Sequence, residues 1–219
     1  MQIAIPLFDR FTALDAIGPY QVLSGIPGAE VRFLGPQAGA VRTDNRMLTV
    51  LADGRWEDVP DPDVLVVPGG VGTRALLEND RLLSWVRTAH DGSTYTTSVC
   101  TGALVLAAAG LLDGVDATTH WVERELLGEL GACPVPERVV ERGKIVTAAG
   151  VSAGIDMALR LTELLTNADV ARAIQLGIEY DPQPPFDSGA PEKASAETIE
   201  LVRAVMAQQE SEAAADPAP

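Results

Sequence analysis

The chain has 219 residues, a formal net charge of -15 and a mean hydropathy of +0.13. Apolar residues make up 47% of it, which excludes a disordered chain, and the length suits one domain with a sizeable core. The negative charge argues against nucleic acid and anionic membrane as partners and leaves the fold open.

Residues 2–8 (QIAIPLF) read as a first strand, and Pro6 within it points to an edge position or a bulge. A loop over 9–12 leads to a helix over 14–23, in which Gly18-Pro19 marks a kink or the true start. Strands follow at 31–34 and 47–51, with a polar stretch at 39–46 between them. Residues 63–67 (DVLVV) are continuously apolar after Asp63, which predicts a central strand covered on both faces. The glycine-rich turn 68–72 comes next, then a short helix over 73–77 and a clearer one over 80–91. A strand over 94–99 runs into Cys100 and a small-residue helix over 103–109.

Beyond it, 117–119 is a short strand, 122–130 a helix, and 138–140 with 144–147 a hairpin turning at Glu141-Arg142-Gly143. Helices are expected over 151–166, 170–180 and 194–209, with a Pro- and Gly-rich loop at 181–191. Residues 210–219 read as a disordered acidic tail. Strands and helices alternate almost throughout, which predicts an α/β fold with a mostly parallel sheet and helices on both faces. Residues 1–191 form that domain, 192–209 a C-terminal helix. No basic leader precedes an apolar core and no apolar run reaches membrane-spanning length, so a soluble cytoplasmic protein is expected.

Cys100 stands at the corner between strand and helix. Free amides and the dipole at a helix start favour thiolate, the nucleophilic form. The competing reading is a buried structural cysteine. Gly102 keeps the corner open to close backbone approach. Two cysteines in this length make no disulfide scaffold, and with His90 and His120 they offer no zinc spacing. No metal is therefore expected. Cys133 lacks a helix start beside it and is expected to pack passively. Trp121 and Tyr180 are expected in the core or an interface.

Ligands of such sheets bind beyond the carboxyl ends of the strands. Three segments end there: the loop before Asp15, the turn 68–72 and Cys100. Asp15 is either an ordinary first-turn acid or a carboxyl exchanging a proton at the site, where a neighbouring thiolate would raise its pKa. Amides of Gly69-Gly70-Val71-Gly72 form either an anion-binding nest or merely a tight turn. Thr101 caps the helix or supplies an amide and a hydroxyl. His120 sits in an apolar strand-end context, and its contact with Cys100 is left open.

Taken together, LDAIGPYQVL around Asp15, VPGGVG at 67–72, TSVCTGALVLAAAGLL around Cys100, ATTHW at 117–121, SAGID at 152–156 and QLGIEYDPQPPF at 175–186 resemble the DJ-1/PfpI superfamily. The resemblance covers about residues 1–186 and implies a single-domain flavodoxin-like sandwich with a cysteine nucleophile elbow. Within the superfamily the isonitrile hydratase branch is the more similar. Protease-like members carry histidine after the cysteine, where Thr101 stands here, and the branch of the human protein has glutamate where Asp15 stands. The same stretches resemble the N-terminal half of transcription regulators whose DNA-binding half is expected to be absent.

The resemblance implies hydration of isonitriles to N-substituted formamides, without metal or organic cofactor. Cys100 would be the nucleophile and Asp15 the general acid and base. Thr101 with the amides of Gly70 and Val71 would hold charge, and Gly150 and His120 would line the substrate pocket. A homodimer acting on a small electrophile is implied as well. A redox-sensing cysteine protein, or a glyoxalase-like or peptidase-like hydrolase using His120, are the alternatives.

Overall fold

The structure, a computed structural model, describes residues 1–215. Seven strands form the main sheet: β1 (Gln2–Pro6), β2 (Glu30–Gly35), β5 (Gly54–Arg55), β6 (Val64–Val67), β7 (Tyr95–Val99), β10 (Val139–Arg142) and β11 (Ile145–Ala148). Their order is β10-β11-β7-β6-β1-β2-β5. Every neighbouring pair is parallel except the β10–β11 hairpin at one edge. All four residues of β6 are buried, as its apolar run requires of a central strand.

The crossovers dictate the layers. The chain leaves β1 through α1 (Ala13–Leu23) toward β2, but leaves β6 through α2 (Asp80–Gly92) toward β7, in the opposite direction across the sheet. Right-handed crossovers running in opposite directions put their helices on opposite faces. Accordingly α1 packs on α5 (Ala153–Leu165), which in turn carries α6 (Ala168–Gly177), while α2 packs on α3 (Gly102–Ala108). The fold is therefore the flavodoxin-like α/β sandwich, and strand order reverses between β1 and β6. A crevice opens at such a reversal beyond the strand ends.

Several boundaries differ from the sequence reading. β1 is central, not an edge, because Pro6 is its last residue and Leu7 resumes the bonding with its N–H to Leu34 O at 2.5 Å. The polar stretch at 39–46 contains a strand, β3 (Gly39–Arg42), paired antiparallel with β4 (Thr49–Ala52) in a two-stranded sheet of its own. The hairpin turn is Gly143-Lys144, one step later than expected, because Gly143 adopts φ +60°. α1 starts at Ala13 and runs through Pro19. Residues 71–76 form a 3-10 turn, and a second one at 121–123 precedes α4 (Arg124–Glu129). β8 (Asp116–Ala117) and β9 (Cys133–Pro134) make a second small sheet.

The C-terminal helix, α7 (Ala196–Ala215), passes the expected boundary at 209, so 210–215 are helical rather than tail. The remaining expectation, for 216–219, lies outside the described residues. Among the described residues no helix is long and apolar enough to cross a membrane.

Candidate active site

The end of β7 places Cys100, and the corner is strained. Cys100 has φ +56°, a left-handed conformation that costs a non-glycine residue about 1–3 kcal/mol. Backbone bonds hold it there: Cys100 N–H reaches Ala149 O at 2.9 Å, and Thr119 Oγ1 donates to Cys100 O at 2.8 Å. The helix behind the corner can approach because Gly102 has no side chain. A Cβ there would lie 2.1 Å from Val67 O. Close approach to the β6 end, rather than access to the sulfur, is what this glycine provides.

The first turn of α1 delivers Asp15 to the same place. Its side chain is fully buried, and Gly69 N–H donates to Oδ2 at 2.9 Å. Oδ1 is buried with no hydrogen-bond partner among the described residues. Burial pushes the Asp15 carboxyl up to about 8; the Gly69 amide and the Cys100 thiol pull against this, and Asp44 adds to it. Asp44 is fixed nearby by Thr12, whose hydroxyl donates to its Oδ2 at 2.9 Å. Asp15 is thus no ordinary first-turn acid: it faces the sulfur and is predominantly protonated at neutral pH.

The thiol departs from the expected resting thiolate. Cys100 is only 5% exposed, and burial, then the Asp15 carboxylate, push its pKa well above the usual value. The amides of Thr101 and Val151 act on the sulfur in the opposite direction and lose. A seven-residue helix start does not outweigh that burial. At rest the two groups form a proton-loaded pair whose titration belongs to both.

Of the two readings of the glycine turn, the tight turn fits its hydrogen bonds better than an open anion-binding nest. Gly70 N–H donates to Thr101 Oγ1 at 2.8 Å, and that hydroxyl donates back to Gly70 O at 3.2 Å. Gly70 and Thr101 therefore clamp the turn to the corner, and neither the Gly70 amide nor the Thr101 hydroxyl is a free oxyanion donor. The clamp needs Gly69, where a Cβ would lie 2.5 Å from Thr101 N and 2.9 Å from Asp15 Oδ2. The Thr101 amide remains directed at the sulfur, and its partner there is Val151. Sequence reasoning missed Val151. The signal available was its place in the loop after β11, which pairs beside β7 and so ends at the same crevice.

A cavity of about 200 Å³ opens on Cys100 and is lined also by Val71, Thr101, His120 and Val151. His120 lines the cavity but is not among the groups that shift the thiol. Its Nδ1 accepts from Val122 N–H at 3.4 Å, and burial, then Arg124, lower its pKa, keeping the ring neutral. Gly150 packs under that ring, where a Cβ would fall 2.8 Å from His120 Cδ2. Trp121 is half-buried, its ring 5.7 Å from that of His120. Tyr180 is half-buried too and donates to Asp156 Oδ1 at 2.8 Å. Cys133 is exposed, contrary to the packing expected, because both residues of its short strand lie at the surface.

The α/β sandwich and the strand–cysteine–helix corner at its switch point define the class: a flavodoxin-like protein with an acid–thiol pair at the sheet's carboxyl end. The chain belongs to the DJ-1/PfpI family, whose model matches residues 1–164. It is 43% identical to an isonitrile hydratase of Pseudomonas putida over 203 residues, 93% of this chain and 89% of that protein. The crystal structure of a ThiJ/PfpI family protein from Pseudomonas syringae superposes with a TM-score of 0.89 at 34% identity, covering 96% of this chain and 89% of that one. The HTH-type transcriptional regulator CdhR of Pseudomonas aeruginosa is 32% identical over 164 residues, 73% of this chain but 48% of that protein.

Proposed function

We propose that the protein hydrates isonitriles to N-substituted formamides through a covalent Cys100 intermediate. The observation that carries this is the proton-loaded Asp15 facing the Cys100 thiol. An isonitrile carbon must receive both a proton and a nucleophile, and this pair holds one of each at a single point. Similarity to the Pseudomonas putida hydratase supports the substrate class.

Asp15 gives its proton to the terminal carbon of R–N≡C. The sulfur adds to that same carbon while its own proton passes to Asp15. The sum is R–N≡C + Cys–SH → R–N=CH–S–Cys, with Asp15 restored as the acid. Water then adds to the thioimidate carbon, nitrogen takes up a proton, and the C–S bond breaks. The products are R–NH–CHO and the free thiol. The amides of Thr101 and Val151 hold the negative charge that gathers on sulfur during attack and departure. Thr101 and Gly70 position the corner.

The competing readings have less support. Peroxide sensing requires a resting thiolate, whereas the pKa of this thiol is raised. Peptidase-like chemistry needs a basic partner at the sulfur, and the groups acting on Cys100 are Asp15 and the amides of Thr101 and Val151 rather than His120. The homodimer implied by the resemblance belongs to the proposal and is checked by sedimentation equilibrium.

The direct test incubates the protein with methyl and cyclohexyl isonitrile and follows formamide by NMR. Turnover should vanish in Cys100→Ala, and in Asp15→Asn it should fall strongly with no substrate mass accumulating on the chain in intact-mass spectrometry, since the acid is needed to form the adduct. Formamide made at the wild-type rate by Cys100→Ala would overturn the covalent route.

A further inference from the structure

The cavity over Cys100 is not closed by the α/β sandwich alone: α7 supplies Met206, Gln209 and Glu210 to its lining. α7 touches the body with one narrow stripe. Ile199, Val202, Met206, Glu210 and Ala213 are half-buried at helical spacing, and no α7 residue is fully buried. Two cations fix the stripe. Arg74 Nη2 reaches Glu123 Oε2 at 2.7 Å and Glu210 Oε1 at 3.4 Å, while the Arg203 guanidinium lies 5.1 Å from the centre of the Trp121 ring.

The remaining lining is chemically committed. Thr101 and Gly70 form the clamp, His120 is held by its neighbour, and Glu123 and Arg74 are paired. The apolar side chains facing the cavity are Val71, Val151 and Met206. The two valines are short, branched and fixed next to the corner. Met206 is long and unbranched, and it comes from an element that the catalytic corner does not need. Methionine fills space adaptively and yields to the shape of what it meets.

We propose that α7 is the substrate-selecting wall of the Cys100 cavity and that Met206 is the residue limiting the size of the group carried on the reacting atom. This rests on the isonitrile reading for the identity of that group, but not for the wall itself. The substrate class is then an isonitrile whose substituent is compact and apolar, pressed against Met206 while its terminal carbon meets the sulfur. A cavity of about 200 Å³ holds the liquid volume of roughly seven waters, room for a small organic molecule.

The test uses Met206→Ala and Met206→Trp in the full chain, with thermal melts to confirm folding. The kcat/KM ratio for 2-naphthyl over methyl isonitrile should rise about tenfold in Met206→Ala, the scale of a pocket trimmed by a few methylene groups, and fall in Met206→Trp. A second readout needs no turnover: in a Cys133→Ser background, the labelling rate of Cys100 by a naphthyl maleimide over that by iodoacetamide should shift the same way. Ratios that stay within about twofold of wild type in both variants overturn the wall. A wild type that forms no formamide from any isonitrile overturns the functional reading instead, and the labelling ratio then decides the wall alone.

Discussion

Burial raises the Asp15 carboxyl, and the Gly69 amide and the Cys100 thiol offset only part of that rise. Its folded-state pKa of about 8 lies above the ordinary 3.8. The folded chain therefore binds this proton over a range where the unfolded chain has released it. Stability from Asp15 is full below 3.8, is lost as pH rises through about 8, and is absent above that. Asp15→Asn, neutral at every pH, removes this dependence. Chemical denaturation at a series of pH values should show wild type losing about 1.4 kcal/mol per pH unit relative to the variant across that window. A constant difference would mean that Asp15 ionises normally. The same proton is the one proposed for the isonitrile carbon. Wild-type kcat/KM should thus fall above about pH 8, and Asp15→Asn should lower kcat by about 10²- to 10⁴-fold. A rate flat through the alkaline range would remove the acid role.

At the scale of elements, the corner depends on α3 starting hard against the end of β6. In Gly102→Ala the new Cβ would sit 2.1 Å from Val67 O and 2.9 Å from Pro68 O, both backbone atoms that cannot swing away. The helix must move, and the Cys100 corner moves with it. The variant should lose about 1–3 kcal/mol in urea denaturation and lose activity out of proportion to its remaining folded fraction. Wild-type stability would show that the corner tolerates a shift. Which elements were legible from sequence follows from what makes them. β6 announced itself because a strand covered on both faces must be apolar throughout. β3 was hidden because its partner is β4 rather than the core sheet, so only Val41 of its four residues is buried and alternation is faint. α7 was legible as a helix but not as a cavity wall: its docking stripe mixes Met206 with Glu210, and the reason for that glutamate, Arg74, is 136 positions away. The Asp15–Cys100 encounter was legible as a possibility because both segments were expected at the carboxyl ends of the strands. That both groups keep their protons at rest was not, since sequence carries no measure of how dry a crevice is.

Across the whole molecule, 31 acidic residues face 16 lysines and arginines. Even if each cation neutralised one carboxylate, an excess of 15 negative charges would remain on a compact body. Added salt then acts in two opposing directions. It screens repulsion among the excess carboxylates, which stabilises the fold, and it screens the ion pairs, which destabilises it. The second effect is small because the pairs lie largely in solvent. In Arg172–Asp169, for example, the side chains are 75% and 93% exposed, and such pairs contribute about 0–1 kcal/mol each. The better-covered Arg74–Glu123 pair is screened less because Glu123 is only 5% exposed in its side chain. Repulsion should therefore dominate. Raising sodium chloride from about 10 mM to about 150 mM shortens the screening length from roughly 30 to 8 Å, below the size of the domain. The melting temperature should rise with it, by roughly 2–4 °C for each kcal/mol of repulsion removed. A melting temperature that falls over this range would mean that the paired charges, not the excess, govern the electrostatics of the fold.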